Sequence, residues 1–182
     1  MLVCIGVEYA YEWVLSSDWC PSRVYIAILD DDDEWEPDHL QLCVSRLLDM
    51  PVTGYDLVAC QLTRCISRDD PAPSQMQLPS VLSAEDFLVG NCGIQGSNLF
   101  VRLSKFLQAG MFDEYLPSCT DRDLLIRLLD VGVSYSCVPA FTVWHFEEAE
   151  RSHHSRDRSS KHLKCGVCVE TGCRLTVQLQ SS

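Results

Sequence analysis

A short apolar run within RVYIAIL, positions 23–29, stops without transition at four consecutive aspartates, Asp30, Asp31, Asp32 and Asp33. A short apolar, β-branched run predicts a buried strand. Four carboxylates at its end predict a cleft, because like charges at close range raise one another's pKa and call for a compensating cation. On an extended backbone Asp30 and Asp32 point to one side and Asp31 and Asp33 to the other. Asp30 and Asp32 are therefore expected to share a hard divalent cation, Mg2+ or Mn2+, which keeps positions open for substrate phosphates. The competing reading is a solvated acidic turn. Two sharper rivals fail on spacing: an EF-hand loop wants Gly where Trp35 stands, and a phosphatase nucleophile motif wants Thr where Glu34 stands.

Beyond Trp35 the pattern turns helical. Pro37 suits a first turn, and Leu40, Cys43, Val44, Leu47 and Leu48 follow the spacing of one apolar helix face. Positions 55–62 predict a strand and 67–80 an exposed loop. Ser83 and Asp86 predict a capping box. Strands are expected at 98–103, 133–138 and 141–144, and helices at 104–109, closed by a left-handed Gly110, and at 120–129. Alternating strands and helices predict an α/β layered fold with ligands beyond the carboxyl ends of the strands, here at the aspartates.

The 182 residues, 47% hydrophobic, suffice for one domain with a real core. The net charge of -12 argues against nucleic acid as a partner, since phosphate contacts need clustered Lys and Arg. The charge is uneven. From Arg151 onward six Lys or Arg face only Asp157 and Glu170, giving a tail of +4 and leaving -16 on the first 150 residues. No stretch reaches the roughly 20 apolar residues of a membrane helix, and the N-terminus lacks signal-peptide features, so a cytoplasmic protein without an integral membrane segment is expected. Of the eleven cysteines, those scattered singly in apolar runs, such as Cys43, Cys60 and Cys137, read as core thiols. His162, Cys165, Cys168 and Cys173 form one weak zinc-knuckle pattern without a second spaced pair.

The segment YIAILDDDDEWEPDHL resembles the Asp-x-Asp region of family-two glycosyltransferases of the GT-A type. A later segment, GIQGSNLFVRLSKFLQAGMFDEYLPSCTDRDLLIRLLDVG, resembles that family's Gly-Ser strand, Gly-Phe-Asp-Glu turn and acidic helix start. The resemblance spans residues 23–146 and implies a Rossmann-like mixed sheet flanked by helices. It also implies transfer of a sugar from a nucleotide-sugar donor to an acceptor hydroxyl on a glycan, lipid or small molecule. Carried over by position, it makes Asp32 the direct metal ligand and sets Asp30, with Asp31, toward the nucleotide. Asp33 would assist through water, and His145 in VWHF would complete the metal site. Gly96 and Ser97, with Asn98, would line the donor-sugar and acceptor cleft. Asp121 falls where inverting members keep the base that deprotonates the acceptor, although Thr120 replaces the usual preceding Glu.

Each position also has a plainer reading. Thr120 and Asp123 form a capping pair that starts a helix in any protein. Asp121 suits the helix dipole. Gly96, Ser97 and Asn98 make an ordinary turn before a strand. A glycoside hydrolase also pairs carboxylates but needs no metal.

Relative to that family only 22 unlike residues precede the motif, so the N-terminal nucleotide-binding half is expected to be largely absent. On that reading 1–22 is unassigned, 23–146 is the C-terminal portion of the glycosyltransferase-like domain, and 147–182 is a basic tail. The first parallel strand would then leave an open sheet edge. The alternative function is a non-catalytic glycosyltransferase remnant or fragment.

Overall fold

The computed structural model describes residues 2–5, 24–30, 32–49, 54–113, 115–147, 165–170 and 177–178. Asp31 and Glu114 lie outside them, as do His162 and Cys173. The strands are β1 (Leu2–Ile5), β2 (Val24–Leu29), β3 (Asp33–Trp35), β4 (Leu57–Cys65), β5 (Ser74–Met76), β6 (Leu99–Arg102), β7 (Tyr135–Phe146), β8 (Cys165–Glu170) and β9 (Val177–Gln178). The α-helices are α1 (His39–Leu48), α2 (Ala84–Leu88), α3 (Leu103–Gln108) and α4 (Thr120–Asp130), and a 3-10 turn spans Gly96–Asn98.

The result is a mixed α/β fold. The strands run in the order β3-β7-β4-β6-β2-β8-β1-β9, with β5 paired to β4. β4 and β7 are parallel, as are β1 and β9, whereas β2 is antiparallel to both of its neighbours, β6 and β8. This corrects two expectations. The first core strand is not parallel, and its edge is not open, because β8 from the basic tail pairs along its whole length.

Period-two alternation builds two cores, one on each face of the sheet. Val24, Ile26 and Ile28 of β2 join Leu57 and Ala59 of β4 against Phe87, Phe106, Leu124, Leu125 and Leu128 of the helices α2, α3 and α4. Tyr25 and Ala27 join Val58, Cys60 and Leu62 against Cys43, Val44 and Leu47 of α1. Both faces are covered, which is why β2 reads as an unbroken apolar run. Each large side chain so buried, such as Phe87 or Phe106, contributes about 1.5–3 kcal/mol.

Several boundaries differ from the sequence reading. α1 begins after Asp38, its buried face is His39, Cys43, Val44 and Leu47, and Leu48 turns outward. The two strands expected at 133–138 and 141–144 are one strand, β7, whose register with β4 shifts beside Gln61. Pro139 explains the shift, since it has no N–H to give to a ladder. The expected loop at 67–80 carries β5. Ser83 and Asp86 do form a capping box, and Gly110 is left-handed at φ 85°. Asp123 is not a cap. It pairs with Arg127, while Cys119, at φ 61°, occupies the N-cap position of α4 without a side-chain cap bond.

Candidate functional site

The register of β2 and β6 builds the site. Ala27 lies opposite Phe100, and continuing that antiparallel ladder three residues brings Asp30 opposite Ser97. There the backbone N–H of Asp30 donates to Ser97 Oγ at 3.0 Å. Trp35 Nε1 donates to the Ser97 carbonyl at 2.6 Å, so the chain on both sides of the aspartates is tied to one buried residue. Asn98, also wholly buried, donates from Nδ2 to the carbonyls of Cys60 and Gly93 and accepts from the Gln95 N–H. Those bonds fix the 3-10 turn, and Gly96 and Ser97 with it.

The aspartates do not continue β2. The Asp33 N–H donates to the Asp30 carbonyl at 3.1 Å, closing a turn, after which β3 starts. This overturns the expected alternation, because a turn breaks the two-residue side-chain period. Carboxylate oxygens of Asp30, Asp32 and Asp33 all lie within 4.8 Å of one another. Asp33 is thus a convergent member of the cluster and not an outward-facing one. Asp32 is exposed, Asp30 half-buried and Asp33 buried.

β3 and β7 place Asp33 directly across from His145. His145 Nδ1–H donates to Asp33 Oδ1 at 2.9 Å, and the Asp33 side chain has no exposed surface. That hydrogen bond raises the imidazole pKa above its ordinary value of 6.5, while burial pulls the other way. Asp33 Oδ2 is buried and has no hydrogen-bond partner among the described residues. An ionised oxygen so placed is costly unless a cation or donor meets it. Outside this pair, Arg68 ties β3 to β7: it holds Glu34 and Glu36 and lies over the Trp144 ring at 4.4 Å.

α4 brings the remaining carboxylate. A Cβ built on Gly96 would sit 3.5 Å from both Asp30 carboxylate oxygens and 3.6 Å from Asp121 Oδ1. Asp30 and Asp121, 91 positions apart in the chain, therefore both border the space beside Gly96. Among the sequence-derived candidates, Asp30, Asp32, Gly96, Ser97, Asp121 and His145 come together through these contacts. Asp31 lies outside the described residues. The sequence reading gave Asp33 a minor part; its signal was the adjacent Glu34–Trp35 strand, whose pairing with β7 turns Asp33 inward. Clustered hard oxygen donors suit Mg2+ or Mn2+, and the orphaned Asp33 oxygen fits such an ion. No described helix is long and apolar enough to cross a membrane.

No family model matches the chain. Over 96 residues it is 34% identical to the rhamnosyltransferase WbbL of Escherichia coli strain K12, a stretch that covers 50% of this chain and 34% of that protein. The chain is thus similar, over half its own length and about a third of the relative's, to a protein that transfers a sugar.

Proposed function

We propose that the chain serves in a metal-dependent, inverting glycosyltransferase of the GT-A type, using a nucleotide-sugar donor and an acceptor hydroxyl. The observation that carries this reading is the cluster of Asp30, Asp32 and Asp33, together with the approach of Asp30 and Asp121 to the same glycine, Gly96. Similarity to a rhamnosyltransferase supports it, and makes a rhamnosyl donor the first to try. Asp30, Asp32 and Asp33 would hold Mg2+ or Mn2+, which neutralises charge on a departing nucleoside diphosphate.

The chain's own residues do the rest. Asp32, the exposed carboxylate, faces incoming ligand, while His145 keeps Asp33 aimed at the cluster. Ser97 fixes where Asp30 begins, and Gly96 leaves space beside it. Asp121 accepts the proton of the acceptor hydroxyl as its oxygen attacks the anomeric carbon and the diphosphate leaves from the opposite face.

Calorimetric titration of Mn2+ with nucleoside diphosphates, alongside sugar-transfer assays, tests the assignment. Asp32→Ala is expected to abolish metal-dependent diphosphate binding. Asp121→Asn is expected to keep that binding near wild type and lose transfer, because a general base acts on the acceptor. Unchanged binding in Asp32→Ala, or retained transfer in Asp121→Asn, refutes the corresponding role.

A further inference from the structure

A second cluster, sharing no residue with the carboxylates, lies in the core between α1 and β4. His39 and Cys43 stand four residues apart on α1, one helical turn, and so present ligand atoms on one face. Cys60 of β4 belongs to the same buried core. Cys43 Sγ is 3.9 Å from His39 Nε2 and 3.3 Å from Cys60 Sγ. One ligand atom from each of the three residues falls within 4.8 Å of the others. Exposure is 1% for His39 and 0% for each cysteine.

We propose that His39 Nε2, Cys43 Sγ and Cys60 Sγ form a buried three-donor site for one thiophilic d10 cation, Zn2+ or Cu+. Beyond the three donors, the setting of the imidazole points the same way. His39 Nδ1 lies 2.8 Å from Thr142 Oγ1, and the Trp35 ring stacks on the imidazole at 4.5 Å between centroids. A Nδ1–H donated to Thr142 leaves the Nε2 lone pair facing the sulfurs, the outer hydrogen bond that orients a ligating histidine. Buried thiols and imidazole are the donors that such cations prefer over the hard ions expected at the carboxylates.

The spacing favours a cation over a disulfide. Two thiolates on one metal ion, with metal–sulfur bonds of about 2.3 Å at angles of roughly 110–120°, stand roughly 3.8–4.0 Å apart. The sulfurs, now at 3.3 Å, need to part by about 0.5–0.7 Å for that. A disulfide of about 2.05 Å demands an approach of more than 1 Å. Loading releases the remaining thiol protons to solvent, so affinity rises with pH. Zn2+ with two thiolates and a neutral imidazole leaves no net charge in the core, whereas Cu+ leaves one negative charge, so the cost of burial favours Zn2+.

The test uses the full chain, prepared under reductant without a histidine tag and with Cys165 and Cys168 changed to Ala, so that the tail pattern contributes no thiolate ligand pair. After demetallation it is titrated with Co2+ as a probe for Zn2+, and separately with Cu+. We expect thiolate-to-cobalt charge-transfer absorption that saturates at one equivalent beyond any Co2+ held by the carboxylates, which give no such band, and that Zn2+ displaces. Stoichiometric Cu+ binding with refusal of Co2+ and Zn2+ assigns the site to Cu+. Cys60→Ala is expected to abolish the charge-transfer band. Thr142→Val is expected to weaken binding by about 10–100-fold, with rescue by Thr142→Ser. X-ray absorption of the metal-loaded protein, which needs no substitution within the site, is expected to read two sulfurs and one imidazole. Absence of thiolate-linked binding for all three ions, a charge-transfer band untouched by Cys60→Ala, or recovery of a Cys43–Cys60 disulfide in place of metal overturns the proposal.

Discussion

Replacing His145 by Phe probes the pair that holds Asp33 in the carboxylate cluster. The substitution removes the donor to Asp33 Oδ1 and leaves a side chain with no exposed surface whose other oxygen already has no partner among the described residues. A hydrogen bond to a charged group contributes about 1.5–3 kcal/mol, and stripping one partner from a fully buried pair costs about 3–5 kcal/mol. The imidazole is 24% exposed, which admits some water, so the expected loss is about 2–3 kcal/mol. That corresponds to roughly 4–12 °C in melting temperature for a chain of this size. The pH dependence has a definite sign. His145 is raised above 6.5 chiefly by Asp33, so the charge-dependent part of the stabilisation is fully present below that value. It disappears as pH rises through the raised folded-state pKa. Urea denaturation at about pH 5.5 and about pH 9 should therefore show a larger gap between wild type and His145→Phe at the lower pH. A gap under about 0.5 kcal/mol, equal at both pH values, refutes the argument that Asp33 depends on this histidine.

Gly96→Ala separates folding from ligand binding. The new methyl makes only ordinary contacts with Asp30 and Asp121, so urea stability should hold or rise by up to about 1 kcal/mol. Calorimetry should find metal-dependent diphosphate affinity at least about tenfold weaker, because the methyl takes up space bordered by Asp30 and Asp121. Asn98→Ala strips bonds to Cys60, Gly93 and Gln95 from a fully buried position and should lower stability by about 2–4 kcal/mol, read as a drop in the urea midpoint.

What was legible in the chain was whatever depended on near neighbours. The apolar run of β2, the helical spacing of α1 and α4, the Ser83 capping box and the strand-end position of the aspartates all follow from local periodicity and turn chemistry. The side-chain directions of the aspartates did not, because one backbone hydrogen bond from Asp33 to Asp30 replaces strand by turn. Asp33 acquires its importance from His145, a partner 112 residues away. Cys43 and Cys60 read individually as core thiols. Their meeting with His39 depends on α1 packing across β4, a tertiary fact that no spacing encodes. The pairing of β8 with β2 was equally hidden, since a glycine-containing run of six residues inside a basic tail gives little periodic signal.

That last pairing also bears on how the chain is made. Val24 lies opposite Glu170, so one edge of β2 has no partner until 146 further residues have been joined. At about 5–20 residues per second, the wait on the ribosome is on the order of 7–29 s. Throughout that interval a strand of Val, Tyr, Ile, Ala, Ile and Leu offers open backbone hydrogen-bonding groups to any neighbouring chain. The four aspartates that follow place charge at its end from the moment of synthesis, where like-charge repulsion between nascent chains opposes edge-to-edge association. Residues suited to holding a cation in the finished protein thus also act as gatekeepers while it is incomplete.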